Sequence, residues 1–130
     1  MQWAQSHGYQ TIVTVGSSYS SSLNILLARD EPQTVTALAS FSPGEYIQGQ
    51  PDLIKQAAAR VQQPFYVTTP AEESARVDEV LSLAHGDNIT RYRPAVGVHG
   101  ASTLVRERNP DGAAANLADF SRFLRPYAQR

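Results

Sequence analysis

Short strand-like runs and amphipathic helical segments alternate four times along this chain of 130 residues. Runs rich in β-branched and apolar residues, which indicate buried strands, lie at Thr11–Val15, Thr34–Phe41, Phe65–Thr69 and Ile89–Val96. The segments that follow them have apolar residues at helical spacing and lie at Ser20–Arg29, Pro51–Val61, Glu72–Ala84 and Ala113–Leu124. This alternation favours parallel strands joined by crossover helices. We therefore predict an α/β fold, with one domain over residues 1–130 and a four-stranded parallel sheet in sequential order.

The direction of the crossovers also predicts how the helices are distributed. If successive strands step the same way across the sheet, the first three helices share one face and the last packs on the other. In the first helix, Leu23, Leu26 and Leu27 recur at helical spacing. In the last helix, Leu117, Phe120 and Leu124 are expected to face the core.

Composition excludes several classes of function. The net charge is -1 with neither sign in a block, which disfavours a nucleic-acid or membrane-binding surface. The chain has no cysteine, so disulfides and thiolate metal sites are excluded, and no pair of histidines has the spacing of metal ligands. The segment Met1–Gln5 lacks the charged-then-apolar order of a signal peptide. The compartment is left undetermined, with a cytoplasmic location as the default.

A serine-rich turn joins the first strand to the first helix. Ser18 lies two residues after Gly16 and two before Ser20. Small residues at these two places let a strand and a helix pass closely around a serine whose hydroxyl projects from a sharp turn, the nucleophile elbow. The free N–H groups of the following helix favour an oxyanion beside that hydroxyl. Serines are also good helix N-caps, so the turn by itself leaves both interpretations open.

Two further polar groups follow the third and fourth strands. Glu72 and Glu73 come directly after Pro70, and His99 stands between two glycines after Val96. Ligands bind at the carboxyl ends of parallel strands. The order nucleophile, acid, base along the chain is that of one known triad arrangement.

These segments together resemble the α/β-hydrolase family. They are Gly16-Ser17-Ser18-Tyr19-Ser20, Thr68-Thr69-Pro70-Ala71-Glu72-Glu73 and Val98-His99-Gly100. The resemblance covers nearly the whole chain and is greatest to the bacterial esterase and dienelactone-hydrolase-like branch. It corresponds to the last four strands of that fold, that is, to its C-terminal half. The second small residue of the elbow is Ser20, where the family usually has glycine.

The resemblance implies a serine hydrolase that acts on carboxylic esters through an acyl-enzyme and needs no cofactor. It implies Ser18 as nucleophile, His99 as base and Glu73 as acid, with Glu72 as the alternative acid. The N–H of Tyr19 would belong to the oxyanion hole. The family's earlier strands and its second oxyanion donor have no counterpart here, so we expect a fragment or a small hydrolase completed by a partner. The alternative function is a catalytically inactive interaction module.

The first strand predicts association. Without the family's preceding strand, Thr11–Val15 is expected at the edge of the sheet, and it carries no charge and no proline to block further pairing. We therefore expect a homo-oligomer, in the simplest case a homodimer, formed through the exposed sheet edge. Besides a second copy, the expected partner is a small-molecule ester. Neither a nucleic acid nor a membrane is expected as a partner.

Overall fold

The computed structural model describes residues 10–128. The segment Met1–Gln5 therefore lies outside the described residues. The strands are β1 (Val13–Ser17), β2 (Ala37–Phe41), β3 (Phe65–Thr68) and β4 (Ile89–Tyr92). The α-helices are α1 (Tyr19–Asp30), α2 (Leu53–Ala58), α3 (Ser74–Val80) and α4 (Ala113–Leu124). Short 3-10 helices occupy Ala71–Glu73, Gly100–Leu104 and Arg125–Tyr127.

The sheet has four strands in the order β1-β2-β3-β4, and every neighbouring pair is parallel. This confirms the predicted fold class. All residues of β2 and β3 are buried, as expected for inner strands covered on both faces. The carboxyl ends of all four strands therefore meet along one edge of the sheet, where the functional residues were predicted.

The helices lie on the predicted faces. One core cluster joins Leu38, Phe65 and Val67 to buried residues of α1, α2 and α3, including Ile54 and Val77. The other cluster joins alternate residues of the same strands to α4. Its buried members are Ala39, Phe41, Tyr66 and Phe120.

Two helices bury different residues from those that apolar spacing indicated. Leu117 was expected in the core but is 49% exposed, and Leu23 is 42% exposed. In α1 the buried face instead includes Ser21, Ser22 and Asn24. Asn24 donates hydrogen bonds to the backbone carbonyls of Thr14 and Ala39, so this face is polar because it binds the strands directly.

Several element ends differ from the prediction for local reasons. β1 extends through Gly16 and Ser17, which pair with Ser40 and Phe41. β4 ends at Tyr92, two residues before Pro94, which has no N–H to donate to a ladder.

The two middle helices are also shorter than predicted. α2 begins only at Leu53, where the Glu45 carboxylate accepts hydrogen bonds from the N–H groups of Ile54 and Lys55. The predicted helix Glu72–Ala84 begins instead as a 3-10 helix that ends at Glu73, and the α-helix proper ends at Val80.

Candidate active site

Ser18 occupies a strained backbone conformation between β1 and α1. Its φ is 58° and its ψ is -122°, a region that costs a non-glycine residue free energy and that is common at active sites. Its N–H donates to the carbonyl of Phe41 at 2.8 Å, which anchors the turn to β2. The conformation is the one that the nucleophile-elbow interpretation requires, since a plain N-cap serine lies in the β region.

The residues two before and two after Ser18 explain how the turn closes. A Cβ at Gly16 would lie 2.4 Å from the carbonyl oxygen of Ser20, so only glycine lets the strand pass the helix here. The Ser20 hydroxyl accepts from the N–H of Ser17 at 2.8 Å and donates to its carbonyl at 2.9 Å. Serine in place of the usual second glycine therefore ties the two ends of the turn together.

The structure brings Ser18, His99 and Glu73 into one chain of hydrogen bonds. His99 Nε2 lies 2.9 Å from Ser18 Oγ. His99 Nδ1 lies 2.9 Å and 3.0 Å from the two carboxylate oxygens of Glu73. A carboxylate accepts the Nδ1 proton, so Nε2 is left free to accept the proton of the Ser18 hydroxyl.

Of the two candidate acids, Glu73 is the one that lies against His99. The 3-10 helix Ala71–Glu73 follows β3, and the N–H of Glu73 donates to the Pro70 carbonyl at 2.9 Å. This turn directs Glu73 toward His99, and its side chain is only 18% exposed. Glu72 lies on the exposed side of the same turn and is not among the hydrogen-bonding partners of His99.

The chain after His99 is fixed to the ends of β1 and β2. The N–H of Gly100 donates to Ser42 Oγ, and the N–H of Ala101 donates to Ser17 Oγ, each at 2.8 Å. Gly100 has a φ of 71°, and a Cβ there would lie 2.5 Å from Ser17 Oγ. Glycine is therefore required beside the histidine for conformation and for space.

Two buried asparagines hold the other end of this loop. The side-chain amides of Asn109 and Asn116 both donate to the carbonyls of Val96 and Thr103. The Thr103 hydroxyl in turn accepts from the N–H of Val98 at 3.3 Å. The loop that carries His99 is thus bound by side chains on both sides of the histidine.

Tyr19, whose N–H was expected in an oxyanion hole, lies at the start of α1. Tyr19 is the first residue of that helix, so its N–H has no acceptor within the helix. The positive end of the helix dipole lies at the same place, directly after the Ser18 hydroxyl.

Beside the triad lies a cavity of about 350 Å³ lined by Glu45, Tyr46, Arg76, Glu79 and Val80. The Tyr46 hydroxyl donates to the Ser42 carbonyl at 2.8 Å and accepts from Arg76 at 3.1 Å. The Arg76 guanidinium also lies 3.9 Å from Glu73. Tyr46 therefore both lines this cavity and is held in place by two hydrogen bonds.

Sequence reasoning missed the polar residues that support the triad. Ser42 and Thr69 are buried, and Thr69 Oγ1 lies 3.2 Å from both Ser42 Oγ and Glu73 Oε1. Both residues directly follow a strand, and that position was the available signal.

Within residues 10–128, no group of three or more histidine, aspartate or glutamate side chains is arranged to hold a metal ion. No helix in this part of the chain is long and apolar enough to cross a membrane. Comparisons of the chain with protein-family models, curated proteins and solved structures found no match. The assignment of a function therefore depends on the geometry of the site.

Proposed function

We propose that this protein is a serine hydrolase of the α/β-hydrolase type that cleaves carboxylic esters. The observation that carries the proposal is the hydrogen-bonded chain Ser18–His99–Glu73, with separations of 2.9 Å at both links. These three residues are far apart in sequence, and each lies in the segment that follows the carboxyl end of a different strand. A serine that only capped a helix would need neither the histidine nor the strained backbone.

The reaction proceeds through an acyl-enzyme. His99 Nε2 takes the hydroxyl proton while Ser18 Oγ attacks the ester carbonyl, and the resulting oxyanion accepts a hydrogen bond from the N–H of Tyr19. Collapse of the tetrahedral intermediate breaks the bond to the alcohol, which leaves with the proton from His99. Water then attacks the acyl group with His99 again as base, which releases the acid and restores Ser18. Glu73 holds the imidazole tautomer and stabilises the imidazolium throughout.

The proposal is tested with p-nitrophenyl acetate and a fluorophosphonate probe. We expect wild-type protein to release a burst of p-nitrophenol and to become covalently labelled. Ser18→Ala should abolish both signals, and His99→Ala should lower both by a large factor, because each removes a member of the triad. Ser82→Ala is the control, since Ser82 is an exposed serine that bonds only the Glu79 carbonyl. Undiminished hydrolysis by Ser18→Ala would refute the assignment.

A second candidate function, from a different class, is that of an interaction module completed by a partner. β1 is an edge strand of the sheet formed by the described residues, and Val15 on it is 54% exposed. An unpaired strand edge beside an exposed apolar side chain supports association with a second copy of the chain. A protein that associates but is not labelled by the fluorophosphonate would favour this candidate over the esterase.

A further inference from the structure

The loop after His99 is anchored by two serine hydroxyls. We propose that Ser17 and Ser42 are positioning residues, which hold His99 at hydrogen-bonding distance from Ser18. This inference rests on the proposed esterase function. It is supported by two successive hydrogen bonds after His99. The N–H of Gly100 donates to the Ser42 hydroxyl and that of Ala101 to the Ser17 hydroxyl, at 2.8 Å each.

Packing alone does not fix the His99 ring. Its side chain is 45% exposed, and its hydrogen bonds are those to Ser18 and Glu73. For a half-exposed ring on a loop, a fixed backbone adds to these hydrogen bonds in limiting the orientations of the ring. Gly100 and Ala101 are bound to the ends of two strands. The backbone after His99 is therefore fixed to the same sheet that carries Ser18.

Ser42 also connects the base to the acid. Thr69 Oγ1 is 3.2 Å from both Ser42 Oγ and Glu73 Oε1, and it has a single proton. As a carboxylate, Glu73 can only accept, so Thr69 donates to Glu73 and its own oxygen accepts from Ser42. The donors then run in one direction, from the N–H of Gly100 through Ser42 and Thr69 to Glu73.

The backbone at Ser42 shows that its side chain has a role there. Its φ is 61°, a conformation in which glycine would have no steric penalty. Serine adds a strained Cβ but supplies a hydroxyl, which is buried and faces two partners. The hydroxyl therefore compensates for a conformation that would otherwise favour glycine.

The test compares Ser42→Ala and Ser17→Ala with a matched control. Ser22 is as buried as Ser42, at 1% exposure each. Its hydroxyl likewise makes two hydrogen bonds, to the carbonyl and the N–H of Gly44, and none to Ser18, Glu73, His99 or the two residues after His99. We expect Ser42→Ala and Ser17→Ala to lower kcat by roughly tenfold to a hundredfold with little change in KM, the effect of a misplaced catalytic group. Ser22→Ala should lose stability but keep kcat.

Two further measurements separate positioning from general destabilisation. Amide hydrogen exchange at Gly100 should accelerate in Ser42→Ala, and exchange at Ala101 should accelerate in Ser17→Ala, while Ser22→Ala leaves both unchanged. Ser17→Thr should restore kcat because it retains the hydroxyl in a strand position that suits threonine.

The outcomes distinguish failure of this inference from failure of the proposed function. Wild-type protein that neither hydrolyses esters nor reacts with the fluorophosphonate would overturn the proposed function, and the positioning role with it. Active wild-type protein whose Ser42→Ala and Ser17→Ala variants keep kcat would overturn the positioning role alone. Unchanged exchange at Gly100 and Ala101 in these variants would also overturn it.

Discussion

Replacing Glu73 by glutamine is the most informative single change, because it alters the charge of the acid and hardly its shape. Both carboxylate oxygens lie within 3.0 Å of His99 Nδ1. If the new amide nitrogen faces the ring, it donates to Nδ1, the ring proton moves to Nε2, and the base can no longer accept from Ser18. If the amide oxygen faces the ring, the tautomer is kept but the imidazolium loses its negative partner.

The size of the effect follows from the exposure of the site. The corresponding carboxylate-to-amide change in a Ser-His-Asp triad costs about 10⁴-fold in kcat. His99 is 45% exposed here, so water offsets part of the lost charge. We therefore expect Glu73→Gln to lower kcat by about 10²- to 10⁴-fold, equivalent to roughly 3 to 5 kcal/mol of transition-state stabilisation.

Glu72→Gln is the matched control. It makes the same change of charge at the neighbouring residue, whose side chain does not bond His99. Its kcat should stay within about twofold of wild type, as for an ordinary surface substitution. The assay is steady-state hydrolysis of p-nitrophenyl acetate, with thermal melts to establish that both variants fold. A folded Glu73→Gln protein within tenfold of wild type, or equal losses in both variants, would refute the reasoning.

Three further predictions concern the turn, the core and the edge. Gly16→Ala should cost about 1 to 3 kcal/mol in the free energy of unfolding and most of the esterase activity, because its Cβ would lie 2.4 Å from the Ser20 carbonyl oxygen; a denaturant titration and the esterase assay measure both, and an unchanged midpoint would contradict the clash. Burial, together with a hydrogen bond to Asp119, raises the pKa of Tyr66 above its ordinary value of 10.0. The neutral phenol therefore stabilises the folded state below pH 10, and this stabilisation is lost as the pH rises further. Tyr66→Phe should accordingly show a shallower alkaline fall in the free energy of unfolding than wild type, and parallel curves would argue against this. Light scattering at micromolar concentration should find wild type associated and Val15→Lys monomeric, since a charge blocks an edge, whereas a monomeric wild type would rule out association through this strand.

The fold was predictable because the strand runs and helical segments differ clearly in period. The inner strands lie where their apolar runs indicated, and α4 has the predicted bounds, Ala113–Leu124. The pattern failed where a contact from a distant segment decided the structure. Leu117 has apolar neighbours at helical spacing and is nonetheless 49% exposed, because spacing along one helix does not report which part of the sheet lies opposite it.

The placement of the triad was predictable for a topological reason. Parallel strands put their carboxyl ends at one edge, so Ser18, Glu73 and His99 had to lie near one another once the strands were identified. The choice between Glu72 and Glu73 was not a matter of strand order. It depended on a 3-10 helix where an α-helix was predicted, which rotates Glu73 toward the histidine.

The supporting hydroxyls show why position after a strand was a better guide than residue type. Ser18 and Ser42 are the residues of the described chain, apart from glycine, that have positive φ, and each directly follows a strand. The N–H of Ser18 donates to Phe41, the last residue of β2, and that of Ser42 donates to Thr68, the last residue of β3, each at 2.8 Å. Each strained residue is thus held by the end of the next strand, as conformations of this kind require. The same backbone arrangement thus places the proposed nucleophile, Ser18, after β1. After β2 it places the hydroxyl of Ser42, which binds the loop that carries His99.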